Sequence, residues 1–366
     1  MGFFDKLFGK GVKEANTVEL ETQYQQFWDW FIANESKFYK TIENHERVVE
    51  DFIDIVSPKL KDINPDFNML TGMGKEGIGE LIISPDGRLK SLPFVDDFIE
   101  AAPEHERWRF ISCKPSVKGI GLNMNGFLLD EETVSFVPIH DDEYPDYIHL
   151  RFIIKECTPE NEEEIGNALY MFLDNYLGEI KTMTMIDYLE VKGVEDVEGE
   201  LIPVSKLSDY LSYRETEFVE KYDSVIRNSE EDTYSILESD TDHEPLIVVV
   251  NTSFLNWDQK MSYPWVVKVS MAYNGREDGL PNKQDVTTMD EIEDLILESG
   301  ILHSVARETG SGERTLFFAT KDYRSASRDV FKTIGLFTDR FDIDYTIYRD
   351  KYWMGLEVYT RAINNG

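Results

Sequence analysis

Between Tyr263 and Arg349 the sequence repeatedly switches hydrophobic period, and nearly every switch carries its own turn or capping residue. In YPWVVKVSMAY, Trp265, Val267, Val269 and Met271 alternate with Lys268 and Ser270, the pattern of a strand with one buried face. After the polar loop REDGLPNKQDV, the spacing of Met289, Ile292, Leu295 and Ile296 becomes helical. Thr288 and Glu291 suit a capping box at its start, and Gly300 stands just past its end. ILHSVARE then reads as a strand that turns through TGSG into ERTLFFAT. A second helix follows, with Ser325 as the expected cap and Val330, Phe331, Ile334 and Phe337 facing inward. DIDYTIYRD and YWMGLEVYT read as two closing strands.

The order strand, helix, strand, strand, helix, strand places the chain in the α+β class. Right-handed crossovers leave both helices on one face of an antiparallel sheet, so the C-terminal part is expected to be a ferredoxin-like split βαβ sandwich. A length of 366 residues fits two domains, taking roughly 100 to 200 residues for each. From residue 18 to 63, Leu20, Tyr24, Phe27, Trp28 and Phe31, then Val48, Val49, Phe52 and Val56, recur at helical spacing, with a break suggested by Asn34 and Ser36. FVDDFIEAAP reads as a short helix, RWRFISCKP and YIHLRFIIKE as strands, and Thr158 caps a helix that Gly178 closes. This coarse order allows the same architecture in the N-terminal domain, with helices added in front. The expected division is an amphipathic segment 1–17, an α+β domain 18–228, an acidic linker 229–244, and the C-terminal domain 245–362.

Charge narrows the partners. Asp and Glu number 71 against 37 Lys and Arg, a formal net charge of −34, which repels the phosphate backbone of nucleic acids and suits a basic protein partner. Cys113 and Cys157 are the only cysteines, so neither a disulfide framework nor paired zinc ligands is indicated, and a reducing cytoplasm fits. No run reaches the roughly 18 to 20 apolar residues that span a bilayer, so no stable membrane insertion is expected. The opening MGFFDKLFGK groups Phe3, Phe4, Leu7 and Phe8, and Lys6 stands where a myristoylation signal needs Ser or Thr.

Motifs for chemistry are weak. Gly72, Gly74 and Gly77 follow a helix and precede a strand, the reverse of a dinucleotide fingerprint. TGSGER lacks the ending of a phosphate loop, and no G-x-S-x-G elbow occurs. The densest group of potential metal ligands, His140, Asp141, Asp142, Asp146 and His149, matches no ligand spacing. No cofactor, metal or catalytic residue is therefore assigned.

SYPWVVKVSMAYNG, REDGLP, MDEIEDLI and ERTLFFATKD resemble the bacterial domain of unknown function 695 family over about residues 245–362. That family is distantly similar to ribonuclease E inhibitor B-like domains, and the resemblance implies a regulatory role without supplying catalytic residues. The leading expectation is a non-enzymatic cytoplasmic protein that binds a protein partner through an acidic surface and an open sheet face. The alternatives are an enzyme of unrecognised class with a site in the interdomain cleft, and an immunity-type mimic of nucleic acid. Arg276, Asp278, Gly279 and Pro281 of the REDGLP loop are polar or turn residues that the fold does not use up, and they are the candidate binding residues.

Overall fold

The computed structural model describes residues 5–124, 126–197, 199–241 and 244–365. The side chains of the proposed amphipathic segment, Phe3, Phe4, Leu7 and Phe8, lie outside what is described. Two compact units form, and they cut across the expected division at 228 and 245. One contains residues up to 110 together with those from 226 onward; the other is the intervening 111–225.

The first unit opens with α1 (Asp5–Asn44), α2 (Asp54–Ile63), β1 (Asn68–Met73), β2 (Gly79–Ser84), α3 (Leu92–Glu100) and β3 (Trp108–Ser112). Strands β1, β2 and β3 form a three-stranded sheet in that order. Tyr24, Phe27, Trp28, Phe31, Phe38 and Ile42 lie buried along α1, and the expected break near Asn34 does not occur. Glu35 accounts for the continuity: only 4% exposed, it accepts from Arg107 Nη2 at 2.5 Å and from Trp108 Nε1 at 3.1 Å. A polar position in the middle of α1 is thus tied to β3.

The inserted unit carries β4 (Leu122–Met124), β5 (Phe127–Leu129), β6 (Val134–Ile139), β7 (His149–Ile154), α4 (Glu162–Tyr176), α5 (Glu179–Met185), β8 (Tyr188–Lys192), β9 (Ile202–Pro203) and α6 (Leu207–Tyr222). Its main sheet runs β8-β7-β6-β9, with β7 and β8 parallel and β6 antiparallel to both neighbours. Ile165, Leu169, Phe172 and Leu173 of α4 enter its core with Phe136, Leu150 and Phe152. The residue preceding α4 is Asn161, whose Oδ1 accepts from Thr158 N at 2.7 Å, so Thr158 sits outside the helix rather than capping it. Gly178 is required between α4 and α5: its φ is +86°, and a Cβ there would meet Lys114 O at 3.2 Å. Because the strands of the first half fall into separate sheets, that half does not repeat the architecture of the C-terminal part.

The chain returns to the first unit with β10 (Tyr234–Thr241), β11 (Glu244–Asn251), α7 (Thr252–Leu255), β12 (Trp265–Ala272), α8 (Lys283–Leu297), β13 (His303–Gly310), β14 (Glu313–Thr320), α9 (Tyr323–Ile334), β15 (Asp342–Arg349) and α10 (Glu357–Asn365). All six strands form one sheet, β10-β11-β13-β14-β12-β15, antiparallel at every step. The first strand of the Tyr263–Arg349 stretch, β12, lies between its third and fourth, as two interleaved crossovers require. Trp265, Val267, Val269 and Met271 are all buried, while Lys268 and Ser270 are half-buried on the other face.

Helix α8 lies over β13 and β14, where Asp290 pairs with Arg307 and Arg314; α9 lies over the β12 and β15 side, where Ser327 Oγ meets Tyr345 Oη at 2.9 Å. The opposite face is covered in part by Phe254, Leu255, Trp353, Leu356 and Tyr359 packed against Val248, Val250, Val266 and Phe317.

Four further expectations change. Residues 229–244 are not simply a linker, because Tyr234–Thr241 pairs along its length with β11. The cap of α8 is Asn282, which accepts from Asp285 N at 2.9 Å; Thr288 lies inside the helix and donates to Gln284 O at 3.2 Å. Asp322, not Ser325, caps α9, accepting from Arg324 N at 3.0 Å and Ser325 N at 3.3 Å. YWMGLEVYT is no strand: Trp353 adopts φ +58°, and the Asp350 carboxylate accepts from Met354 N and Gly355 N, each at 2.9 Å, starting the turn that leads into α10. In each helix the earlier Asn or Asp engages the first-turn amides and leaves the later hydroxyl unneeded as a cap. Among the described residues no helix is long and apolar enough to cross a membrane.

Candidate functional site

The REDGLP loop closes on itself. Arg276 Nε and Nη2 donate to the two carboxylate oxygens of Asp278 at 3.1 and 2.7 Å, and Asp278 Oδ1 also accepts from Leu280 N at 3.1 Å. The backbone completes the turn through Arg276 N to Leu280 O at 2.8 Å and Gly279 N to Arg276 O at 2.9 Å. Gly279 has φ +72°, and its carbonyl accepts from Gly312 N at 3.1 Å and Tyr273 Oη at 3.0 Å. Pro281 is buried and stands immediately before the Asn282 cap. The Leu280 amide, followed by Arg276, holds the Asp278 carboxyl below its ordinary range. All four candidate residues are thus brought together, with their polar groups engaged within the loop and with the adjoining β13–β14 turn.

A more open surface lies on the α8 side of the sheet, where β10 and β11 extend beyond the helix. Alternation sets it up: Tyr234, Ile236 and Glu238 share the face of Val249 and Ile247, while Leu237 points to the α7–α10 side. Ile236 is 67% exposed and Tyr234 56%, unusual for apolar and aromatic side chains in a sheet. Beside them is a cavity of about 420 Å³ lined by Tyr234, Val249, Asp290, Glu293, Asp294, Leu297, Ser304 and Arg307.

The floor of this cavity is charged and organised. Arg307 Nη1 reaches Glu293 Oε2 at 2.9 Å and Asp290 Oδ1 at 3.4 Å; Arg314 Nη1 reaches Asp290 Oδ1 at 2.6 Å, and its Nε donates to Thr309 Oγ1 at 3.1 Å. Burial pulls the Arg314 guanidinium down from its ordinary value, and Asp290 opposes that pull. Burial, with the nearby Asp232 carboxylate second, pushes the Tyr234 hydroxyl up, so it is a neutral hydrogen-bonding group at neutral pH. Asp294 remains exposed at the rim. The arrangement offers an apolar strip with an acidic wall, suited to holding a chain rather than to moving a proton.

Other candidates are structural or apolar. His303 sits edge-on between Phe254 and Tyr263, and burial, then the Arg227 charge, holds its imidazole below the ordinary value. In the HDDEYPDYIH run, Asp141 Oδ1 accepts from Glu143 N at 2.8 Å, Asp146 binds Lys221 and Tyr222, and His149 lies 3.8 Å from Glu190. No group able to hold a metal ion occurs among the described residues. A cavity of about 510 Å³ between α1, α3 and α9 is lined by Leu20, Tyr24, Phe94, Asp97, Arg328 and Phe331, among others.

Sequence reading passed over Tyr234, Ile236 and Val249. The signal was present in the alternation of TYSILES, but flanking acids gave that stretch the composition of a linker. No curated protein and no solved structure matches the chain. Residues 215–359 match the model of a family described as a family of unknown function (DUF695), a span that begins inside α6 and takes in β10 as well as the REDGLP loop. The part of the chain that holds both the self-closed loop and the open sheet face is therefore the part, residues 215–359, that is similar to that family of unknown function.

Proposed function

We propose that the chain is a non-enzymatic cytoplasmic regulatory protein that binds a protein partner on the face between α8 and the β10–β11 hairpin. The observation that carries this reading is the exposure of Ile236 and Tyr234 beside the acidic wall of Asp290, Glu293 and Asp294. Apolar side chains left exposed together and rimmed by charge are typical of interaction surfaces. The excess of acidic residues favours a basic partner and a rate of association that falls with added salt. The regulatory part rests on the resemblance to ribonuclease E inhibitor B-like domains drawn from the sequence.

The alternative, an enzyme, would use the cavity of α1, α3 and α9, where Tyr24 and the Asp97–Arg328 pair meet. Burial raises the Tyr24 hydroxyl well above its ordinary value, and Asp97 raises the Arg328 guanidinium, so neither is suited to proton transfer at neutral pH.

A photo-crosslinking residue placed at Ile236 tests the proposal, with a second at Val358, an exposed apolar position on α10, as the control. One recurring adduct in cell extract, formed from Ile236, absent from Val358 and abolished by Asp294→Lys, is the expected result. Equal labelling from both positions, or none from Ile236, would sink it.

A further inference from the structure

We propose that the outer edge of β10 accepts an extended segment of a basic partner as an added strand. This rests on the protein-binding reading above and gives it a mode of recognition. Thr252 N–H donates to Thr233 O at 2.9 Å, and the same register continues through Ser235↔Val250 and Leu237↔Val248. Hydrogen-bonded and non-hydrogen-bonded pairs alternate along an antiparallel ladder. Ser235 and Leu237 therefore direct their backbone groups into β11, whereas Tyr234, Ile236 and Glu238 direct theirs outward.

The two edges of the six-stranded sheet differ. At β15, the segment around Lys90 packs alongside: Lys90 Nζ pairs with Asp344 at 2.7 Å, and Lys90 O accepts from Ser327 Oγ at 2.5 Å. At β10, no further strand pairs with the outer edge among the described residues. Exposed edges are ordinarily blunted by lysine, proline or a bulge. Tyr234–Glu238 contains neither lysine nor proline, and its pairing with β11 runs without a register shift.

Charge and alternation then define the occupant. A strand laid beside β10 would direct every second side chain to the α8 side, next to Tyr234, Ile236 and the Asp294 rim. Apolar residues match the first two, and lysine or arginine matches the rim and Glu238, so the α8-facing positions of the segment, every second residue, carry two apolar residues and then a basic one. Backbone pairing supplies affinity and alternate side chains supply specificity, as in other strand additions.

The full chain can be titrated with a short peptide that carries valine, valine and lysine at successive every-second positions with threonine between them, with a counterpart bearing glutamate in place of the lysine, and with the first peptide N-methylated at alternate residues. The expected result is binding of the first alone, with slowed hydrogen exchange at the amides of Tyr234, Ile236 and Glu238. Ile236→Pro removes one outward N–H and spares the ladder to β11, so it should weaken binding about tenfold with an unchanged circular dichroism spectrum. Asp294→Lys should weaken it as well, and more at low salt than at high salt.

Equal binding of the N-methylated peptide overturns strand addition and leaves the protein-binding reading in place, since side chains alone would then hold the segment. Failure of the Ile236 crosslink described above counts against that reading itself. A homodimer that Ile236→Pro dissociates would overturn the assignment of a basic partner in favour of a second copy of the chain.

Discussion

The REDGLP loop and strand β10 are both polar in composition and both belong to the same unit, but they treat their hydrogen-bonding groups in opposite ways. In the loop, Arg276 is matched by Asp278, the Leu280 amide by the same carboxylate, and the Gly279 carbonyl by two donors. In β10, pairing is completed on one side only among the described residues, and Ile236 stays exposed. Charged residues in a turn are thus no guide to binding until their partners are counted, whereas a modest alternating strand at a sheet edge has groups left to offer.

Substitutions can break or sharpen this contrast. The largest effect is expected at Arg314, beneath the open face. Arg314→Ala removes the pair to Asp290 and the bond to Thr309, and should lower unfolding free energy by about 2 kcal/mol in chemical denaturation. That figure is below the cost usual for a fully buried pair because the Asp290 side chain is 47% exposed and can regain water. A neutral Arg314→Ala would mean that the cavity floor is not a framework.

In the loop, Gly279→Ala forces a side chain into a left-handed conformation at φ +72° and should cost about 1 to 2 kcal/mol. Thermal melts showing no change would break the account of a turn closed by its own geometry. Asp278 adds a pH signature. Its carboxyl is depressed in the folded loop, so its stabilisation is present above the unfolded value near 3.8 and is lost as pH falls through the lower folded value. The protection of the Leu280 amide relative to its intrinsic exchange rate should therefore fall in that acid range, and Asp278→Asn should flatten the dependence. At the open edge, Ile236→Thr should change stability by no more than about 0.5 kcal/mol, since the side chain is mostly in water. It should still weaken binding of the basic peptide; a large loss of stability would show instead that Ile236 is a core residue.

Much of the C-terminal sheet was legible because β12 and β15 carry a period-two apolar pattern, β14 a short apolar run after the TGSG turn, and the intervening helices a wider spacing. Trp265, Val267, Val269 and Met271 are buried as their alternation implies. Caps were harder to place, since Asn282 and Asp322 compete with nearby Thr288 and Ser325, and only geometry shows which reaches the first free amides. The fate of YWMGLEVYT depended on Trp353, whose burial against Phe254 and bond to Tyr263 O are long-range events. The division into units was hidden for the same reason. The contacts of α3 with α9, including Asp96 with Arg324, Asp97 with Arg328 and Phe94 with Phe331, join segments far apart in the chain.

That long connection has a consequence for how the polypeptide is made. Asp96 and Arg324 are 228 residues apart, so at about 5 to 20 residues per second a ribosome takes on the order of ten to fifty seconds to travel from one to the other. The inserted unit, whose core draws only on residues between 111 and 225, emerges complete during that interval. The aromatic core of α1, α3 and β3 closes among residues 20–110, whereas Phe94 and Asp97 of α3 emerge early and wait for α9. A nascent chain halted before α9 would therefore present a finished insertion within an unfinished host, with Phe94 among the side chains still lacking their final neighbours.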